Sequence, residues 1–127
     1  MRTDYSTKPV VFFTIKRENN QVVQVITTSP LVNHFLDFMR NSRAHNTWVN
    51  YAHDLKVFFE VIPKSVEQIS RVDCLDFIKQ QSQDGYADAT INRRLAAMSS
   101  LFNELCLLQP DQFPFNPIHP QTRSRNI

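Results

Sequence analysis

The chain has 127 residues, 42% of them hydrophobic with ten Phe, a formal net charge of +2 and a pI near 8.7. This suits one domain with a modest core, and the mild basicity permits a nucleic-acid partner without requiring one. One Gly and seven Pro rule out a glycine-rich phosphate loop and argue for helices punctuated by proline rather than a turn-rich β fold.

Residues 9–28 are the only strand-like stretch. Segments 10–15 and 22–26 are rich in Val, Ile and Phe and flank the polar cluster KRENNQ, so a β-hairpin with its turn at residues 18–20 is expected. An isolated hairpin is marginal in water, so one face should pack on the helices or on another chain. Residues 1–28 therefore read as an N-terminal hairpin arm. The polar start MRTDYSTK does not resemble a signal peptide.

Ser29-Pro30 is a helix start, a cap followed by proline at the first helical position. This helix should run to about residue 40, with Leu31, Phe35, Phe38 and Met39 inward, before a loop at 41–46. The next helix begins at Asn46 or Thr47. Trp48, Tyr51, Ala52, Leu55, Phe58, Phe59 and Ile62 form its apolar stripe, and Asn50, His53, Lys56 and Glu60 the opposite side. Arg40, Arg43 and His45 add basic groups near its start.

Ser70, with Asp73 as a capping-box partner, begins a third helix with Leu75, Phe77 and Ile78 inward, ending at Gly85. Residues 89–108 form the last and most strongly patterned helix. Ile91, Leu95, Met98, Leu101, Phe102, Leu105 and Leu108 recur at steps of three and four, Asp88 or Thr90 is positioned to cap the start, and Pro110 stops it. Its other side (Asn92, Arg93, Ala96, Ser99, Ser100 and Asn103) is small or uncharged polar after the first turn, unlike an ordinary solvated face. Arg93 and Arg94 oppose the helix dipole by about a few tenths of a kcal/mol. A nearby anion such as phosphate reverses that penalty; alternatively Arg94 covers the apolar stripe with its methylenes. Both readings stay open on the helix alone. The proline-rich remainder, 111–127, reads as a linker, and 29–110 as the helical domain.

Chemistry-bearing patterns are sparse. His34, His45, His53 and His119 share no ligand spacing with each other or with Cys74 and Cys106, so no metal or other cofactor is expected. Asp73 and Asp76 are better explained by capping and solvation than by acid–base work. The cysteines read as reduced, buried thiols of a cytoplasmic protein. No apolar run reaches about 18 residues, so no membrane partner is expected, nor is a small-molecule substrate.

Taken in order, the signals become more specific. NTWVNYAHDLKVFF (46–59), ISRVDCLDFI (69–78), ATINRRLAAMSSLF (89–102) and FNP (115–117) together resemble the N-terminal core-binding, SAM-like domain of tyrosine recombinases and phage integrases. Thr47, Tyr51, Asp54, Leu55 and Phe58 match the first family motif. Thr90, Asn92, Arg93, Leu95 and Phe102 match the second, and Asn116-Pro117 the exit. The resemblance spans about residues 30–120. It implies a mainly α fold, a four-helix SAM-like bundle here preceded by the short hairpin, that clamps one face of double-stranded DNA with its second and fourth helices. Other recombinase protomers in a synaptic tetramer are the further implied partners.

On that resemblance the DNA-facing residues are Arg43, Asn46, Thr47, Asn50, His53, Thr90, Asn92, Arg93, Arg94 and Ser99. Arg43, Thr47 and Arg93 are types that hold phosphates; Asn50, Asn92 and Ser99 are types that read base edges. Ala96 and Ser100 would allow close approach. The family's catalysis needs an Arg, a Lys, a His-x-x-Arg and a nucleophilic Tyr in a separate C-terminal domain. No His here is followed three residues later by Arg, and Tyr5, Tyr51 and Tyr86 are not candidate nucleophiles. The expectation is a non-catalytic N-terminal piece of a longer recombinase, expressed alone or naturally truncated. The alternative is a helical protein-interaction domain that does not touch DNA.

Overall fold

The computed structural model describes residues 10–118; residues 119–127 of the expected tail, His119 among them, and residues 1–9 of the expected arm lie outside them. Two antiparallel strands, β1 (Phe13–Glu18) and β2 (Gln21–Thr27), precede four helices: α1 (Pro30–Ser42), α2 (His45–Val61), α3 (Arg71–Gln83) and α4 (Asp88–Leu108). A short 3-10 turn, Val66–Gln68, links α2 to α3. The mainly α class with a leading hairpin is therefore as the sequence implied.

The hairpin turns at Asn19 and Asn20, whose φ of 52° and 65° are left-handed. Asn tolerates that region better than other non-glycine residues and supports a two-residue turn matching strand twist. The first strand starts later than expected, at Phe13, because Val10 and Val11 lie in a bend before the ladder. The hairpin is not a free arm. Val11, Val22 and Val25 are in the core, and the Phe13 ring lies 6.3 Å from that of Phe59 in α2. Asn33 of α1 fastens it further: its Oδ1 accepts from the Thr27 amide (2.7 Å) and its Nδ2 donates to the Thr27 carbonyl (3.0 Å).

α1 starts as read, with the Ser29 hydroxyl accepting from the Val32 amide and Pro30 at the first position. Its buried face is Val32, Phe35, Leu36 and Met39, one step round from the expected stripe. Phe38 is 47% exposed: α1 packs against α2, β2 and α4, and Phe38 lies off the side that they bury. The expected 41–46 loop shrinks to Arg43 and Ala44, both neighbouring helices extending into it. In α2, Trp48, Ala52, Leu55, Phe58 and Phe59 are buried as expected, Tyr51 is half-buried, and Asp54 joins the core.

The capping box of α3 is present: Ser70 and Asp73 exchange hydrogen bonds, and Lys64 pairs with Asp73 at 2.9 Å. Gly85, at φ 91°, lets the chain leave the helix. Leu75 is exposed rather than inward, and Cys74, Phe77 and Gln81 take the core positions. In α4 the stripe from Ile91 to Leu105 is buried, but Leu108, in the last turn, is exposed. Neither Asp88 nor Thr90 is the cap; Ala87 occupies that place with no side-chain hydrogen bond. Cys74 is buried, whereas Cys106 is only half-buried.

Packing continues past residue 110. Phe113 and Ile118 are both in the core, with Phe113 stacked 6.0 Å from Phe102. No helix among the described residues is long and apolar enough to cross a membrane.

Candidate nucleic-acid interface

The α2–α4 packing, the most extensive between helices, defines a polar seam. Tyr51 meets Ser100 (3.4 Å between hydroxyl oxygens), while Asp54 meets Arg93 further along α2 and further back along α4, so the two helices run antiparallel. Thr47, Asn50, Tyr51, Asp54, Arg93, Ala96 and Ala97 line an open cleft of ≈ 190 Å³ between them. A second shallow cleft on the other side of Tyr51 is lined by Arg43, Ser100, Asn103 and Glu104 with apolar residues of α1.

At the centre is a side-on ion pair. Arg93 Nε donates to Asp54 Oδ2 at 3.1 Å, and Arg93 Nη2 to Oδ1 at 3.0 Å. Asp54 is 5% exposed, whereas the Arg93 side chain is 61% exposed. The carboxylate is thus sealed into the α2 stripe and the guanidinium closes over it. Arginine has five N–H donors, and this geometry leaves the outward ones free for a phosphate or carboxylate. The sequence marks Asp54 only as a family match; the physical signal for its role is an acid beside an apolar stripe, which needs a counter-charge once buried.

The remaining expected contacts divide. Asn46, Thr47 and Asn50 are exposed along the first turns of α2, and Arg43 is exposed just before it. Asn92 and Thr90 are half-buried at the start of α4. His53 is half-buried, and its pKa lies below the usual 6.5, first through burial and then through Arg17 and Lys56, with Asp54 opposing. Two residues are otherwise engaged. Arg94 donates to the side-chain carbonyl of buried Gln81 and lies 4.3 Å over the Tyr86 ring, so it ties the α3–α4 turn to α4. Ser99 receives Nδ2 of Asn116 on both its carbonyl (3.0 Å) and its hydroxyl (3.1 Å). Asn116 also donates to Asn103 Oδ1 (2.9 Å) and accepts from the Ile118 amide (2.8 Å), clasping the exit segment to α4.

The start of α2 differs from those of α1 and α3. Ala44 offers no side-chain cap and the first turn holds no acid, while Arg40 lies 5.3 Å from the Trp48 ring and the His45 ring lies tilted against it at 5.6 Å. Among the described residues no group of three or more His, Cys, Asp or Glu side chains is arranged to hold a metal.

The chain is thus a four-helix domain with a small-residue polar seam between its second and fourth helices. The sequence profile of the phage integrase N-terminal SAM-like domain matches residues 32–107, more than half of the chain. The protein belongs to that family. No curated protein and no solved structure matches it.

Proposed function

We propose that this chain is a DNA-binding domain of a site-specific tyrosine recombinase, itself non-catalytic, that holds one face of a duplex with α2 and α4. The observation that carries this is the α2–α4 seam: hydrogen-bonding Thr47 and Asn50, a guanidinium fixed at Arg93, and small Ala96 in between, where backbone and phosphates can approach closely. The uncapped start of α2, beside Arg43, supports the reading, since phosphate is a natural partner for free helix N–H groups. Thr47, Asn46 and Arg43 are the phosphate contacts, with Asn50 facing base edges; Asn92, whose side-chain oxygen is buried, acts from within the seam. Ser99 and Arg94 act indirectly, by holding the exit and the α3–α4 turn. In the parent recombinase the 29–110 unit would precede a catalytic domain and meet other protomers in a synaptic tetramer, in the cytoplasm.

Fluorescence anisotropy with a random duplex, titrated with salt, tests the reading. Binding in the non-specific range of about 10⁻⁴ to 10⁻⁶ M, falling linearly in log salt, is the expected result. Arg43→Ala should lower the slope by about one unit. A second reading, a protein-interaction domain, is favoured by the apolar groove of ≈ 410 Å³ between the start of α3 and residues 112–117, beside exposed Phe115 and Val72. That reading predicts no DNA binding at low salt.

A further inference from the structure

The hairpin precedes the matched residues 32–107. Its sequence alternates, so Phe13, Ile15 and Arg17 share one face of β1. Phe13 and Ile15 pack against the core, Phe13 on Phe59 of α2. Arg17 is on that same helix-facing side yet exposed, so its guanidinium emerges beside α2 instead of pointing away from it. The strand register shifts between Lys16 and Arg17: Lys16 opposes Gln24, but Arg17 opposes Val22. Such a bulge increases local twist and re-aims the side chains next to it.

What Arg17 meets is the continuation of the proposed DNA face. Asn46, Asn50, His53 and Lys56 follow one another at helical spacing along α2, and both Arg17 and Lys56 act on His53 as neighbouring positive charges. The acids close by are committed: Glu60 to Lys56 (3.1 Å), Asp54 to Arg93, and Glu18 to Lys16 (3.6 Å). Among the described residues no ion pair engages Arg17. Arg17 is thereby left as the cation on this edge that no acid compensates, and a polyanion laid along the edge supplies the missing charge.

We infer that the tip of the hairpin extends the DNA-binding surface, with Arg17 holding a backbone phosphate beyond the α2 end of the helical seam. This rests on the DNA-binding reading above and adds a strand-borne contact to it. The chemistry recognised is the phosphodiester backbone, not a base, because Arg17 stands at the margin of the seam.

The test compares the full chain with Arg17→Gln and Lys79→Gln, each removing one positive charge from an exposed side chain, Lys79 being on α3. Binding to a duplex is followed by anisotropy across a salt series, with circular dichroism verifying the fold. The inference predicts a several-fold weaker complex and a log–log salt slope smaller by about one unit for Arg17→Gln, with Lys79→Gln close to the parent chain. If the parent binds and Arg17→Gln behaves like the parent or like Lys79→Gln, the hairpin contact is wrong while the helical seam stands. If the parent itself fails to bind at low salt, both readings fall together.

Discussion

Asp54 and Arg93 lie thirty-nine residues apart and form a two-point ion pair across the α2–α4 seam, the acid buried and the arginine largely exposed. The two partners are therefore not equivalent. Removing Arg93 leaves a buried carboxylate without its counter-charge, whereas removing Asp54 leaves an arginine that water can solvate. Arg93→Ala should cost about 1–3 kcal/mol of stability and Asp54→Asn less, with the double variant recovering part of the Arg93→Ala loss. Urea denaturation of the four proteins measures this. Equal costs for the two single changes would mean that the pair is not organised as described. A drop in DNA affinity for Arg93→Ala must accordingly be read beside its stability.

The two halves of that pair show how far the sequence carried. The helical spacing of Ile91, Leu95, Met98 and Leu105 was enough to place α4 and its buried side, because a period of three and four has one structural solution. Phe38 and Leu75 were misplaced because the spacing names a stripe but not which neighbour covers it. The hairpin joins α2 and α4 in covering α1, so the buried side is turned from the one the spacing alone suggests. Arg93 and Arg94 are adjacent and chemically identical, and the sequence sets Arg93 on the polar side while leaving Arg94 open between an anion and the apolar stripe. The packing supplies their partners, sending one to Asp54 on the seam and the other to Gln81 and Tyr86. Asn116-Pro117 is legible as the exit motif, but its clasp on Ser99 and Asn103 is not, since the motif names no partner on α4.

Arg94 should matter to stability and little to DNA. Its guanidinium joins the Tyr86 ring and the buried Gln81 side chain, contacts that fasten the α3–α4 turn. Tyr86→Ala removes the cation–π contact and should cost about 0.5–1 kcal/mol. Anisotropy at a fixed salt concentration should show duplex affinity unchanged. A stability-neutral variant with weakened binding would move Arg94 back to the DNA face.

Asn116 makes three donor contacts and one acceptor contact to hold the exit segment on α4. Asn116→Ala should free that segment while leaving the helices intact. Hydrogen exchange at the Ile118 amide is the direct readout, and protection there should fall steeply. Retained protection would show that burial of Phe113 and Ile118 suffices without the clasp.

His53 carries a pH signature. Burial, then Arg17 and Lys56, hold its pKa below 6.5 in the folded chain, with Asp54 only partly opposing. The unfolded chain therefore takes up the proton first, and stability is lost as pH falls from the unfolded value near 6.5 to the lower native one. Imidazole resonances followed by NMR should titrate below 6.5, and Arg17→Gln or Lys56→Gln should each raise the midpoint. A midpoint indifferent to both would separate the hairpin tip from α2.

The most direct test of the central claim is to map backbone amide shifts as a duplex is added to the labelled chain. The account predicts perturbations concentrated at the start and exposed side of α2, at Arg93 and its neighbours on α4, and at the hairpin tip around Arg17. Shifts gathered instead around Val72, Phe113 and Phe115, or no shifts at low salt, would contradict it.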